Sequence, residues 1–280
     1  MILDGKKYRD ILLEKYKTQI EQYNLKIGLA IIHIGNDPAS NVYIKSKEKF
    51  CHYVGITVKS YWLDADVALM AVTKLIENLN EDETVTGIII QSPVPKHLDI
   101  EYLNNLIKPN KDVDGNTLEN IYKLYLNKPT ILPCTVKGIW KLLNYYNIDV
   151  TGKNVVIVGR GNVVGKPLAL LFNNLNATVS LCHSHTKNLE DYTKRADIIV
   201  MAVGKPNLLK AKMIKKDAIL IDVGVSQQNG KIVGDIDFDE CVLKCQYITP
   251  NPGGVGPMTV AMLIDNLLEM KGIKENVEVG

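Results

Sequence analysis

The stretch NVVIVGRGNVVGKP, residues 154–167, decides the fold. Its four β-branched residues at 155–158 suit a strand buried on both faces, the kind found in parallel sheets covered by helices. Gly159, Gly161 and Gly165 follow, and glycines there let the backbone turn sharply and approach a pyrophosphate. A helix predicted from about Lys166-Pro167 would add N–H donors and a favourable dipole, and proline suits a first helical turn. The Gly-x-Gly-x-x-x-Gly spacing is one residue longer than the usual dinucleotide fingerprint, so a plain glycine turn competes with a cofactor loop. The strand before and the helix after favour the cofactor loop.

Similar apolar runs recur on both sides: IGLAIIHIG (27–35), TGIIIQSP (86–93), ATVSLCH (177–183), DIIVMAVG (197–204) and AILIDVGV (218–225). Between them, VALMAVTKLIENL (67–79) and KPLALLFNNL (166–175) keep apolar residues at helical spacing. The alternation predicts an α/β fold with parallel sheet. With 280 residues, 46% of them hydrophobic, two domains can each bury a core. Two prolines and a glycine between Pro129 and Gly138, ahead of the helical IWKLLNYY (139–146), mark a domain joint. TPNPGGVGP (249–257) precedes a last amphipathic helix, MTVAMLIDNLLEM (258–270).

Lys and Arg number 33 against 31 Asp and Glu, so no strong field argues for nucleic acid or an anionic membrane surface. A small-molecule ligand is expected. The opening MILDGKKYRDILLEKY lacks the apolar core of a signal peptide, and no stretch approaches a membrane span, so a cytoplasmic protein is expected. Cys51, Cys134, Cys182, Cys241 and Cys245 are scattered and odd in number, and read as reduced thiols.

Enzymes that bind NAD place an acidic residue about 20 positions past the glycine loop, at the end of the second strand, to hold the ribose 2′-hydroxyl. Here that strand ends in Cys182-His183-Ser184-His185-Thr186-Lys187, without a carboxylate. A hydroxyl, imidazoles and Arg160 suit a 2′-phosphate instead, which predicts NADP. His183 and His185 could face one way and bind a metal, but no third ligand is evident, and no metal is expected.

In the first half, Asp37-Pro38-Ala39-Ser40 opens a predicted helix carrying Tyr43 and Lys47 on one face. A phenol can stack on a flat heterocycle, and an ammonium whose pKa is lowered by burial can exchange protons near neutral pH. A solvated face in the run KSKEK is the competing reading. Gln91 stands at the C-terminal end of a strand, where parallel sheets bind ligands, and Lys111-Asp112-Val113-Asp114-Gly115 is a turn with two carboxylates. Tyr-x-x-x-Lys is shared with short-chain dehydrogenases, but there the pair follows the glycine loop, whereas here it precedes it by more than a hundred residues.

Taken in order, Ser40-x-x-Tyr43-x-x-x-Lys47, Gly87-Ile88-Ile89-Ile90-Gln91-x-Pro93, Lys111-Asp112-Val113-Asp114-Gly115, Pro133-Cys134-Thr135, Gly159-Arg160, Cys182-His183-Ser184-x-Thr186, Ile221-Asp222-Val223-Gly224 and Pro252-Gly253-Gly254-Val255-Gly256-Pro257-Met258-Thr259 closely resemble the methylenetetrahydrofolate dehydrogenase/cyclohydrolase family. The resemblance implies two α/β domains: a catalytic one over 1–136, completed by a C-terminal helix over 257–280, and a Rossmann-type NADP domain over 137–256. It implies a homodimer acting on tetrahydrofolate derivatives. Lys47 matches the catalytic lysine, Gln91 its hydrogen-bonding partner, Tyr43 the stacking residue and Asp114 the carboxylate that holds the pterin. Ser40, Pro252, Gly253 and Gly256 join them as substrate residues. Thr135, Gly159, Arg160, Gly161, Val164, Gly165, His183, Ser184, Thr186, Val203, Gly204 and Val225 match the cofactor set.

Four positions depart from the family pattern: Val136 for proline, Gly161 for serine, Asn251 for valine, and Tyr122 where glycine is usual. Gly161 removes a hydroxyl beside the pyrophosphate or 2′-phosphate, and Asn251 adds a polar group near the nicotinamide or folate. A degenerate relative that only binds nucleotide or folate, and an NADP-dependent oxidoreductase on another substrate, are the alternatives.

Overall fold

The structure, a computed structural model, describes residues 1–129, 131–228 and 230–273. The elements run α1 (Gly5–Gln22), β1 (Gly28–Ile34), α2 (Pro38–Tyr53), β2 (Thr57–Leu63), α3 (Leu69–Glu81), β3 (Gly87–Gln91), α4 (Ile100–Leu106) and α5 (Leu118–Tyr125). The second half follows with α6 (Cys134–Tyr145), β4 (Asn154–Val158), α7 (Gly165–Asn174), β5 (Thr178–Cys182), α8 (Leu189–Thr193), β6 (Ile198–Met201), β7 (Ile219–Asp222), β8 (Ser226–Gln228), β9 (Lys231–Val233), α9 (Phe238–Cys241), β10 (Tyr247–Ile248) and α10 (Val255–Met270). The chain divides into two compact units, one of Asp10–Cys134 with the part of α10 from Val260 on, the other of Met1–Arg9 with Thr135–Thr259.

The first unit holds a parallel three-stranded sheet in the order β2-β1-β3. One face, Ala30, Ile32, Ile34, Ile88 and Ile90, packs on Val72, Ile76 and Leu79 of α3 and Leu103 of α4. That spacing on α3 puts one apolar stripe on the sheet, each buried aliphatic side chain contributing about 1.5–3 kcal/mol. The C-terminus of α3 is closed by Lys111, whose Nζ donates to the carbonyls of Leu79 (3.0 Å) and Asp82 (2.7 Å), where a cation also suits the dipole.

The second unit has five parallel strands in the order β10-β7-β6-β4-β5, and β8 and β9 form a separate antiparallel pair. Val156, Val158, Ile199, Met201 and Leu220 pack with Leu209, Met213, Ile236 and Ile248. The opening nine residues belong here and not with residues 10–136, where the sequence division had them. Their backbone makes the reason plain: Leu3 N donates to Ile248 O (2.8 Å), Ile248 N donates to Met1 O (3.1 Å), and Lys6 N donates to Gly253 O (3.0 Å). The Tyr8 and Tyr145 rings stack 4.1 Å apart. The end of the predicted 257–280 helix, from 274, lies outside the described residues, and α10 itself begins at Val255. Among the described residues no helix is long and apolar enough to cross a membrane.

Candidate active site and cofactor loop

In both sheets the strand order reverses beside the first strand, leaving a crevice at the carboxyl ends where α/β sheets take ligands. In the first unit the crevice lies between β1 and β3. Asp37, after β1, caps α2 by accepting from Ser40 N (2.7 Å), and the Ser40 hydroxyl lies 2.7 Å from the same carboxylate oxygen and 3.1 Å from Ser92 O after β3. This cap fixes the start of α2 and with it the helix face carrying Tyr43 and Lys47. Lys47 is 9% exposed, and its Nζ donates to Gln91 Oε1 at 3.0 Å. Gln91 Nε2 in turn donates to Ser92 O (2.8 Å), so the amide is oriented with its oxygen toward the ammonium. Tyr43, by contrast, is 49% exposed.

Burial pushes the Lys47 ammonium below its ordinary range, opposed by the negative charge of Asp114. The partly buried Asp114 is shifted the other way: desolvation raises its pKa against the pull of Lys47, with Asp112 adding to the rise and hydrogen bonds from Cys134 and Asn116 lowering it. Asn116 Nδ2 donates to Asp114 Oδ2 at 2.8 Å. The acid and the base thus have pKa values drawn toward each other, which makes a proton easier to pass at this site than between unperturbed groups.

The Asp114 loop is rigid for reasons invisible in its own motif. Asp112 is buried and accepts from Thr117 N (2.8 Å) and Asn120 Nδ2 (2.9 Å). Gly115 has φ +70°, and a Cβ there would stand 2.7 Å from Leu132 C and Pro133 N. Asn266, fully buried on α10, donates from Nδ2 to Val113 O (2.9 Å) and Leu132 O (3.0 Å), joining the loop to the segment before α6. Asp112, Asn120 and Asn266 were not foreseen as site residues; a polar Asn in the apolar run MTVAMLIDNLLEM was the one available sign.

In the second unit the crevice lies between β4 and β6. Gly159 has φ +119°, and a Cβ would come within 2.2 Å of Ala202 O at the end of β6. A Cβ on Gly165 would stand 1.9 Å from Gly159 O, so strand and helix approach each other at glycine distance, one residue earlier than Lys166. Gly161 has open space around its Cβ direction, so it is exchangeable where the other two are not. Arg160 and Gly161 are exposed beside this loop, and Val164 caps α7 without a side-chain hydrogen bond, which leaves that helix terminus open.

Past β5, residues 183–186 make a tight turn: Thr186 N donates to His183 O (2.8 Å), and His183 N donates to Thr186 Oγ1 (2.9 Å). Ser184 and His185 are exposed there, and His183 Nδ1 accepts from His185 N (3.2 Å), which occupies that nitrogen. Among the described residues no group of three or more His, Cys, Asp or Glu side chains is placed to hold a metal ion. Val203 and Gly204 follow β6 and donate through their N–H groups to Asp235 Oδ2 (2.7 and 3.1 Å), while Val225 is exposed after β7. Thr135 Oγ1 lies 3.4 Å from Thr259 Oγ1. Pro252, Gly253 and Gly256 belong to this second unit; Gly253 has φ +116° and Gly256 has room for a side chain. Of the departures, Val136 is buried, Tyr122 is exposed on α5 with its ring parallel to Tyr125, and Asn251 Nδ2 donates to Gly224 O at 2.6 Å. All five cysteines are free thiols, four of them buried.

A glycine-paved switch point in one unit and a lysine–amide–carboxylate group at the crevice of the other define an α/β enzyme of the dinucleotide-dependent class. Known proteins narrow this: residues 3–114 match the model of the tetrahydrofolate dehydrogenase/cyclohydrolase catalytic domain, and residues 133–275 match that family's NAD(P)-binding domain. The bifunctional protein FolD of Agathobacter rectalis is 47% identical over 273 residues, 96% of this chain and 98% of the relative. The crystal structure of the Campylobacter jejuni FolD methylenetetrahydrofolate dehydrogenase/cyclohydrolase superposes with a TM-score of 0.95 at 42% identity, covering 97% of this chain and 99% of that one. The Trypanosoma brucei enzyme, solved with NADP cofactor and an inhibitor, gives 0.91 at 35% identity and 96% coverage of each chain. The chain belongs to the tetrahydrofolate dehydrogenase/cyclohydrolase family.

Proposed function

We propose that this chain oxidises 5,10-methylenetetrahydrofolate to the 5,10-methenyl form with NADP+ and hydrolyses that product to 10-formyltetrahydrofolate, a bifunctional step of one-carbon metabolism. The observation that carries the hydrolytic half is the buried Lys47–Gln91 hydrogen bond beside Asp114. The cofactor half rests on Gly159 and Gly165, whose missing side chains let the turn after β4 pack against the end of β6 and the start of α7 beside the open helix terminus, and on a β5 terminus of hydroxyl and imidazole groups without a carboxylate.

Bound NADP+ supplies the hydride acceptor. Thr135, Gly159, Arg160, Gly161, Val164, Gly165, His183, Ser184, Thr186, Val203, Gly204 and Val225 hold it, with Arg160 and Ser184 on the 2′-phosphate. In the folate site Tyr43 lies against the flat ring system, Asp114 fixes the pterin, and Ser40, Pro252, Gly253 and Gly256 complete the contacts. Hydride transfer asks for positioning. Hydrolysis asks for proton movement: water adds to the amidinium carbon of the methenyl cation and surrenders a proton to Lys47 Nζ. Scission of the carbon–N5 bond then turns the adduct's hydroxyl into the formyl carbonyl on N10, its proton leaving to solvent, while N5 takes the proton held by Lys47. Gln91 orients Lys47, and burial keeps its neutral form accessible. In this reading most of the folate contacts come from residues up to 136 and most of the cofactor contacts from residues 137–256. A homodimeric, cytoplasmic protein is part of the proposal, and sedimentation equilibrium tests the dimer.

The deciding experiment is the initial rate with 5,10-methylenetetrahydrofolate, run with NADP+ and with NAD+ while following reduced cofactor and methenyl absorbance. Turnover favouring NADP+ is expected. Turnover favouring NAD+ would overturn the reading of Arg160 and Ser184, and no turnover with either would overturn the enzymatic reading in favour of a binding module.

A further inference from the structure

Two buried carboxylates stand behind the β6 and β7 loops, each enclosed by a glycine. Asp235 is fully buried and accepts from three successive N–H groups, Val203 (2.7 Å), Gly204 (3.1 Å) and Lys205 (2.6 Å). A Cβ on Gly224 would lie 2.0 Å from its Oδ2, so the loop after β7 leaves space for this carboxylate. Asp222, 4% exposed at the end of β7, accepts from Asp235 N (3.0 Å) and Ile236 N (3.1 Å), and a Cβ on Gly234 would lie 1.9 Å from its Oδ2. Asn251 completes the chain of contacts. Its Nδ2 donates to Gly224 O at 2.6 Å, and its side chain also hydrogen-bonds the Asp222 carboxylate.

We propose that Asn251, Asp222 and Asp235 act as one positioning group, tying the Pro250–Gly254 turn to the Val203, Gly204 and Val225 loops and setting the affinity for the nicotinamide cofactor. The inference rests on the cofactor reading above. Asn251, at a departure from the family pattern, is then an affinity-setting residue of this chain. Burial raises the Asp222 pKa to about 6, with the Asp235 charge adding to the rise and the bonds from Asp235 N, Ile236 N and Asn251 lowering it. Asp222 and Asn251 line a cavity together with Asp237 and Asp239, and Asp237 is paired with Lys210 at 2.6 Å. Loss of the Asn251 bond to ionised Asp222 raises that pKa further, so the contribution of Asn251 is fully present above about pH 6 and fades as Asp222 takes up a proton.

Equilibrium binding of NADP+ to the full chain tests this, with Asn251→Val and Asp222→Asn measured at pH 7.5 and pH 5. The 2′-phosphate titrates near pH 6 as well, so the quantity read is the ratio of variant to unaltered Kd at each pH. Asn251→Val is expected to weaken binding roughly three- to tenfold at pH 7.5, with a smaller ratio at pH 5. In Asp222→Asn, which keeps the side-chain shape, adding Asn251→Val is expected to cost less than it does alone. A ratio of one at both pH values, a ratio independent of pH, or effects that simply multiply in the double variant would each overturn the inference. Failure of the unaltered chain to bind NADP+ would sink the cofactor reading itself.

Discussion

Replacing Asn266 by leucine removes one buried amide without emptying its volume, so the cost is polar and not a cavity. The amide nitrogen gives both hydrogens to carbonyls, Val113 O at 2.9 Å and Leu132 O at 3.0 Å. Val113 O keeps a weak thiol contact from Cys134 Sγ at 3.3 Å, while Leu132 O loses this donor outright. Stranding buried acceptors costs about 1–3 kcal/mol each. Leucine returns about 1 kcal/mol through its greater apolar surface. The net loss is then about 1–5 kcal/mol, which at about 2 °C per kcal/mol for a chain of this size lowers Tm by about 2–10 °C. The same two carbonyls flank Asp114, so the freed loop is expected to raise KM for methylenetetrahydrofolate by about tenfold, on the order of 1.4 kcal/mol. Scanning calorimetry and initial rates on Asn266→Leu measure both. A Tm within about 1 °C of the unaltered protein, less than a loss of about 1 kcal/mol would give at this size, together with an unchanged KM, would refute the claim that this amide holds the loop.

Lys47→Met keeps the length of the side chain and removes the amine; cyclohydrolase activity is expected to fall at least about 100-fold, the usual scale of lost acid–base catalysis, with dehydrogenase activity falling less. Equal loss of both with folate binding intact would contradict the division of labour. Gln91→Met withdraws an acceptor from the charged form of Lys47, so the amine, already held low by burial, deprotonates at still lower pH. The acid limb of the cyclohydrolase pH profile, which rises as the amine becomes neutral, should move to lower pH; a stationary or rising limb counts against the assignment. Gly159→Ala, with no room for a methyl group, should abolish NADP+ binding or folding, whereas Gly161→Ser should bind NADP+ normally in the same titration.

Strands whose residues are apolar on both faces were legible, because nothing but a buried strand accounts for GIII or NVVIV. β2 was not, since TVKSYWL is an edge strand with Thr57 and Lys59 in polar positions and Trp62 half exposed. The β8 and β9 pair carries SQQ and KIV, too short and polar to stand out. At the site, Lys47, Gln91 and Asp114 could be named because they stand in motifs that resemble the family; by residue type alone a solvated lysine-rich face, a strand end and an ordinary turn competed with them. Their supports could not: Asp112 and Asp222 look like ordinary turn carboxylates until folding shows which backbone N–H groups they accept. Likewise Lys111 in the motif turns away to cap α3, a role set by a carbonyl 32 residues earlier.

The pairing of the first residues with β10 also has a bearing on how the chain comes to be folded. Met1 donates its terminal ammonium to Gln246 O at 2.5 Å, across 245 positions of sequence. During synthesis the opening segment therefore gains these partners only after residues 246–248 have been made, while residues 10–134 can gather their own sheet far earlier. The second unit is thus a late-assembling one whose rate is governed by very distant contacts. Pulse-labelled hydrogen exchange during refolding should find the amides of Leu3 and Ile248 protected together, after those of β1 and β3.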